Sequence, residues 1–443
     1  VRVETNCQNC GFQQVRINGL DGPYTQILID SRPVFSALSG VYGLEQIPAS
    51  MIERVEVMRG GGSALFGSSA IAGTINIITK EPLRNSGQLS HTLTALGGGS
   101  SFDNNTSLNA SLVTDDHRAG LYIFGQNRHR SGYDYDGDGF TELPKLKNQT
   151  VGFRSYLKTS TYSKLTFEYH HMQEFRRGGD MLDRPPHEAH IAEQLQHSID
   201  GGSLKFDYFS PDEKNRLSIF ASAANTDRDS YYGPGNDPLK AYGKTTDLTA
   251  MGGAQYVHTF DKCFFMPSDL TAGLEYNRDR LKDNMWGYDR HTDQTVNIYS
   301  AFLQNEWKND RWGILIGGRL DKHNMVDNVI FSPRANLRFN PTQNINLRLS
   351  YSSGFRAPQA FDEDMHIENV GGTVAMIERA KNLKEEKSQS FSASADMYHR
   401  FGVFQTNFLI EGFYTRLTDV FVLGEPYDRG DGILAVSYTH LTL

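Results

Sequence analysis

Cysteine is scarce in this chain: three in 443 residues, with Cys7 and Cys10 in a C-x-x-C and Cys263 alone. A zinc ribbon needs a second pair, which is missing. A thioredoxin-like site needs a βαβ setting, which the sequence after Cys10 does not offer. A local Cys7–Cys10 disulfide in an oxidising compartment is the plainest reading. No run of about eighteen apolar residues occurs, so a transmembrane helix is excluded. Charge of one sign is lacking too. Lys+Arg number 44 against 52 Asp+Glu, a net −8 scattered along the chain, and no basic footprint for nucleic acid results. Gly60-Gly61-Gly62-Ser63 lacks the Lys-Ser/Thr ending of a phosphate loop, and His187-Glu188-Ala189-His190 places its second histidine one residue too early for H-E-x-x-H. No Ser-His-Asp order, paired-carboxylate motif or nucleotide fingerprint recommends an enzyme. Neither Met nor a signal peptide precedes Val1, so a processed or missing N-terminus is expected.

What is present is β structure. Tyr 21 and Phe 26 with only 15 Pro suit a barrel with aromatic girdles, and equally a soluble sandwich or propeller. A mean hydropathy of −0.49 allows a membrane barrel, whose lipid-facing and lumen-facing residues alternate. From about residue 88 the alternation is strict. Leu165, Phe167 and Tyr169 oppose Lys164, Thr166 and Glu168, and Ile345, Leu347, Leu349 and Tyr351 oppose Asn344, Asn346, Arg348 and Ser350. Such segments run roughly nine to eleven residues, the length of a tilted membrane strand. Short turns alternate with long polar loops at 129–149, 174–198, 227–246 and 355–387, as in a barrel with tight turns at one end. No repeat of about forty residues suggests a propeller. Roughly fifteen strands are expected between residues 88 and 423 by alternation. Plugged transporters use about 22, so the expectation is an incomplete barrel that does not close by itself.

Residues 1–82 read differently, as a compact α+β unit. Short strands fall at Gln26–Asp30, Arg54–Met58 and Thr74–Thr79, and a helical piece near Ile47–Glu53 starts at Pro48. Val15–Leu20 (VRINGL), Ile27–Val34 (ILIDSRPV), Ile47–Gly60 (IPASMIERVEVMRG), Ser63–Gly67 (SALFG) and Ala70–Lys80 (AIAGTINIITK) follow one another in order. Together they resemble the plug of TonB-dependent outer-membrane receptors. One departure is Gly61-Gly62, where many members have Gly-Pro. In the second half, Phe355-Arg356-Ala357-Pro358 and the degenerate Asn382–Ser388 resemble the FRAP and NPNL boxes of haem and related receptors, with His366 between them.

The resemblance implies a plug over residues 1–82 inside a partial transmembrane antiparallel β-barrel over 83–434, in a Gram-negative outer membrane. It implies a ligand on the outer face, held between plug and long loops, and an inner-membrane TonB complex pulling an N-terminal box that would precede Val1. The ligand expected first is an iron complex, haem or ferric siderophore, with no resident cofactor required; cobalamin is the alternative. A structural or adhesive β protein is a third reading, disfavoured because an adhesin needs no plug. The barrel is expected to be monomeric in outer-membrane lipid, with a surface lipoprotein as a further partner.

Ligand contacts are expected at His366, Arg356, His187 and His190, with His366 a candidate haem-iron ligand. Ordinary loop histidines are the alternative. Glu53, Arg54, Glu56 and Arg59 suit plug–barrel coupling through polar contacts with a charged wall. Asp134, Asp136 and Asp138, with Gly137 and Gly139 between and after them and Glu142 nearby, have the spacing of a Ca²⁺ loop in an extracellular segment. A solvated acidic turn is the competing reading. Residues 435–443 (AVSYTHLTL) are expected to break the strand pattern, and they resemble a translated sequencing-adapter tail.

Overall fold

The computed structural model describes residues 1–7, 12–20, 22–32, 48–59, 67, 70–234, 241–360, 365–370, 373–378, 383–428 and 433–441. The paired state of Cys10 and the Gly60–Ser63 loop lie outside them, and Cys263 is a free thiol.

Among its described residues the N-terminal unit has five strands. β1 (Arg2–Cys7) pairs antiparallel with β2 (Phe12–Arg16). β3 (Thr25–Ile29), β4 (Ile52–Arg59) and β5 (Gly73–Thr79) form a mixed sheet, with β5 central, parallel to β3 and antiparallel to β4. Val15, Ile17, Ile27, Ala72, Ile75 and Ile77 pack into its core. The helix expected at Ile47–Glu53 is a correction: only a 3₁₀ turn, Ala49–Met51, follows Pro48 before β4 begins. Ile52, Val55 and Val57 are β-branched and are taken up by the ladder to β5.

The rest is one antiparallel meander. It runs through β6 (Ser86–Leu96), β7 (Ser101–Val113), β8 (Ala119–Arg130), β9 (Lys145–Ser160), β10 (Ser163–Gly179), β11 (Ile191–Phe209) and β12 (Asn215–Pro234). It continues through β13 (Tyr242–Cys263), β14 (Met266–Met285), β15 (Arg290–Lys308), β16 (Trp312–His323), β17 (Ile330–Thr342) and β18 (Ile345–Arg356). Two short strands, β19 (Glu368–Val370) and β20 (Thr373–Glu378), interrupt it before β21 (Glu386–Phe401) and β22 (Phe404–Thr418). The resulting sheet has 15 strands in chain order, with β6 and β22 at its ends. Among the described residues no helix is long and apolar enough to cross a membrane, which leaves crossing by strands open.

Inward residues alternate with outward ones throughout. On β11, Leu195, His197 and Ile199 are buried while Leu204 and Tyr208 are exposed. Strand length is where expectation and structure part, since β6 has 11 residues and β13 has 22. The alternation test stops where the outer face turns polar, as on β11 from Leu204 to Asp200, Ser198 and Gln196, yet the backbone ladder continues to Ile191. The four expected loops therefore shrink, because the flanking strands run on to Arg130, Gly179, Pro234 and Arg356 and resume at Lys145, Ile191, Tyr242 and Glu386. All four leave the same end of the sheet. The other end carries tight connections such as 161–162, 264–265 and 402–403.

Beyond the sheet, β23 (Val420–Leu423) and β24 (Tyr427–Asp428) pair antiparallel with β25 (Ile433–Leu441), which lies parallel to β20. Residues 435–441 thus form strand instead of breaking it, a second correction. Their β-branched and aromatic residues find free edges on β20 and β23.

Candidate functional site

The inward face of β9 and β10 grips the N-terminal unit through one arginine. Arg154 and Glu168 are cross-strand partners, and Arg154 lies 2.7 Å from Glu168 and 2.5 Å from Asp30 of the plug-like unit. It also donates to the Thr79 hydroxyl and reaches Glu81 at 3.4 Å, where Lys164 joins at 3.1 Å. Asp30 is aimed by its backbone: Asp30 and Ser31 have φ of 49° and 66°, a left-handed conformation that costs non-glycine residues energy. Side chains from β5 hold that turn. Thr79 donates to Asp30 from its hydroxyl (2.6 Å) and its backbone N–H (3.0 Å), and the Ser31 N–H donates to Asn76 at 2.7 Å. Arg32 beside it stacks on Phe220 of β12 at 5.3 Å. Burial is the largest influence on the Arg32 guanidinium and lowers its pKa, which Glu168 and Asp30 oppose.

The opposite wall makes its own contacts. Arg59 of β4 pairs with Glu411 of β22. Arg319 of β16 faces Gly67 and is held by Glu275 at 2.7 Å and Asp321 at 2.8 Å. The Tyr24 hydroxyl donates to Glu386 at 3.1 Å, and Arg356 sits over the Tyr24 and Phe421 rings with Glu386 3.6 Å away.

At the long-loop end the lumen is roofed. Loops 180–190 and 286–289 and the segment Met365–Ile367 bring Ala189, Tyr288 and Ile367 onto Leu195, Tyr231, Tyr232 and Met285. Beneath that apolar layer lies a charged one. Arg176 donates to Glu174 (2.7 Å) and Thr245 to Asp283 (2.7 Å), while Arg290 bridges Asp283 (3.0 Å) and the Met365 carbonyl (2.8 Å). Arg228 donates to Thr245 at 3.3 Å. Buried charges at this density persist only because each is matched by hydrogen bonds and counter-charge. Residues on either side of 361–364 turn inward: the Ala360 N–H donates to Gln294 at 2.9 Å and Met365 packs on Leu281. Lids of this kind, with paired polar groups below, are suited to enclosing a ligand between loops and plug.

Family models for the TonB-dependent receptor plug domain and the TonB-dependent receptor-like β-barrel match residues 1–74 and 73–436. The chain belongs to the TonB-dependent receptor family. It is therefore an outer-membrane protein of the Gram-negative type, with a plug inside a β-barrel. It is similar to the vitamin B12 transporter BtuB of Vibrio vulnificus, 25% identical over 79% of this chain and 54% of that one. It is 26% identical to an iron-regulated outer membrane virulence protein of Vibrio cholerae, over 78% of this chain and 51% of that one. The siderophore receptor PirA of Pseudomonas aeruginosa shares the fold, with TM-score 0.78, 16% identity, and coverage of 98% of this chain and 75% of that one. The chain spans about half the length of the curated relatives it matches.

Within this receptor, the residues singled out from sequence go to different places. Of the coupling candidates, Arg59 reaches the wall; Arg54 pairs with Glu56 at 2.8 Å on the plug itself, and Glu53 is exposed. Arg356 lies at the plug–wall seam. His366 is mostly covered, 3.6 Å from Glu193 and edge-on to Tyr232. His187 contacts the Tyr242 hydroxyl at 2.9 Å, and the exposed His190 pairs with Asp180 at 2.5 Å. Asp134, Asp136, Asp138 and Glu142 do converge, each offering an oxygen within 4.8 Å of the others. The loop already uses them: Gly137 and Gly139 N–H groups donate to Asp134, and the Phe140 N–H donates to Asp138. Arg154 and Tyr24 were missed. An inward Arg opposite an inward Glu on paired strands was the available signal for Arg154.

Proposed function

We propose that this receptor takes up an anionic iron chelate, a ferric siderophore or haem, across the outer membrane, energised through an inner-membrane TonB complex. The observation that carries this reading is the roofed mouth, where Arg176, Arg228 and Arg290 lie beneath Tyr231, Tyr232 and Tyr288. Guanidinium forks and aromatic faces recognise planar, anionic, oxygen-rich ligands. On this reading, outward movement of Met365 and His366 withdraws them from Arg290 and Glu193 and exposes these groups. His366 then becomes available as an iron ligand if the cargo is haem, with His187 and His190 at the rim. Arg59, with Glu53, Arg54 and Glu56 beside it, and Arg356 with Tyr24 then transmit occupancy of the mouth to the plug. The curated relative named for vitamin B12 keeps cobalamin as the second reading. Ca²⁺ in the Asp134–Glu142 loop belongs to this proposal as a structural ion.

The test is tryptophan fluorescence titration of the receptor with a ferric tris-catecholate, haemin and cyanocobalamin. Submicromolar binding of an iron chelate with far weaker cobalamin binding is expected. Tight binding of cobalamin alone would overturn the assignment.

A further inference from the structure

β14 carries charge on its outer face at a depth where neighbouring β13 carries Ala250 and Leu248 and β15 carries Asn297 and Thr295. Its even-numbered side chains point out of the barrel, since Leu274 is well exposed while Asp279, Leu281 and Asp283 are buried. From the tight-turn end this face reads Leu270, Ala272, Leu274, Tyr276, Arg278, Arg280 and Lys282. Tyr276 stacks against Tyr299 of β15 with ring centroids 4.9 Å apart, and its hydroxyl donates to Asn297. An aromatic pair ending an apolar face marks the membrane–water boundary, here on the long-loop, outer side. Arg278 follows between Ala250 and Asn297, and Arg280 between Leu248 and Thr295. At about 3.3 Å per residue their backbones lie roughly 7 and 13 Å beyond Tyr276 along the strand, less the tilt.

Both arginines are exposed, and among the described residues neither is in an ion pair. Lys282, the next outward residue, has Asp293 at 3.8 Å. Asp227 and Asp229 on this face lie on β12, opposite Thr246 and Lys244, with β13 between them and β14. Two uncompensated guanidinium groups just beyond that boundary lie at the depth of the lipid headgroups, where an anionic group attracts arginine.

The geometry points to a docking site for the phosphate groups of an outer-leaflet glycolipid, gripped by Arg278 and Arg280 with Lys282 at its upper edge. Guanidinium forks match phosphate oxygens. The glycolipid's acyl chains lie along Leu274 and Leu303, both exposed on the apolar face below. A lipid phosphate is anchored at this depth by its own chains, whereas a free phosphate is not.

The test uses the full-length receptor in phosphatidylcholine vesicles with added lipid A, read as lipid A retained per receptor by mass spectrometry. Each arginine near a charged membrane surface contributes about 1 kcal/mol, or roughly fivefold. R278Q/R280Q should therefore bind roughly thirtyfold more weakly, R280Q alone about fivefold, and R278K/R280K should retain most of the binding. Dephosphorylated lipid A should not be retained, and millimolar inorganic phosphate should not displace the lipid. Retention unchanged in R278Q/R280Q, equal retention of the dephosphorylated lipid, or displacement by inorganic phosphate would each overturn the assignment. The single variant R280Q preserves the test should the double variant fail to assemble.

Discussion

Replacing Arg154 by Gln removes the side chain that joins β9 and β10 to the Asp30 turn and the adjacent end of β5. Asp30 and Glu168 would then face each other across the seam without their shared cation. Removing one member of a fully buried ion pair costs about 3–5 kcal/mol. Arg154, Asp30 and Glu168 retain 13%, 16% and 19% side-chain exposure, so water recovers part of the loss and about 2–3 kcal/mol remains. Such a loss raises the population of the loosened plug about thirtyfold or more. Hydrogen exchange on the full-length receptor reads this directly, at the amides of Ile29 in β3 and Thr79 in β5, with those of β13 and β14 as the unperturbed reference. The second variant, R154Q/D30N, removes the stranded carboxylate as well and should recover part of the protection. K164Q, which breaks only the more exposed 3.1 Å contact to Glu81, should change little. Exchange in R154Q within threefold of wild type, or R154Q/D30N no better protected than R154Q, would refute the view that this ion cluster seats the plug.

Other consequences are as direct. Burial pushes the Asp180 carboxyl up, but the His190 side chain and the N–H groups of His190 and Ile191 outweigh it and hold its pKa below the ordinary value. A depressed carboxyl stabilises above its unfolded pKa and loses that contribution as pH falls through the folded value. Amides of loop 180–190 should therefore keep their protection at pH 5 and lose it below about pH 4, while D180N should lack it at both. Gly73→Ala places a Cβ 2.4 Å from the Met58 carbonyl oxygen and 3.1 Å from Ile17, so the β4–β5 ladder must open; expected is faster proteolysis of the plug with the barrel intact. Terbium luminescence sensitised by Tyr135, exposed in the acidic loop, should rise on titration and reverse with Ca²⁺ in wild type but not in D134N/D138N. Equal signals would leave that loop a solvated turn.

The sequence by itself determined the family and the architecture. Motifs between residues 11 and 80 are carried by local chemistry, and the barrel's period-two alternation is imposed by lipid on one face and lumen on the other. Both survive in one chain without any knowledge of contacts. Alternation even anticipated the 15 strands of the sheet. It understated their lengths because it reads the outer face, and that face turns polar above the membrane while the hydrogen-bonded ladder runs on. The three strands of the plug's mixed sheet were legible to within two residues, whereas β1 and β2 were not anticipated, and the helix expected near Pro48 gave way to strand because the edge of β5 claims residues 52–59. What only the tertiary structure decided is which charges meet. Arg154 and Asp30 are 124 residues apart, Tyr24 and Glu386 are 362 apart, and a side chain's partner at such distances depends on how strands are stacked and loops folded inward. Arg356, at the edge of a long loop by sequence, is drawn to the plug by the path of β18. His366 is covered because Met365 beside it packs inward on Leu281 and its own ring lies against Tyr232 and Glu193.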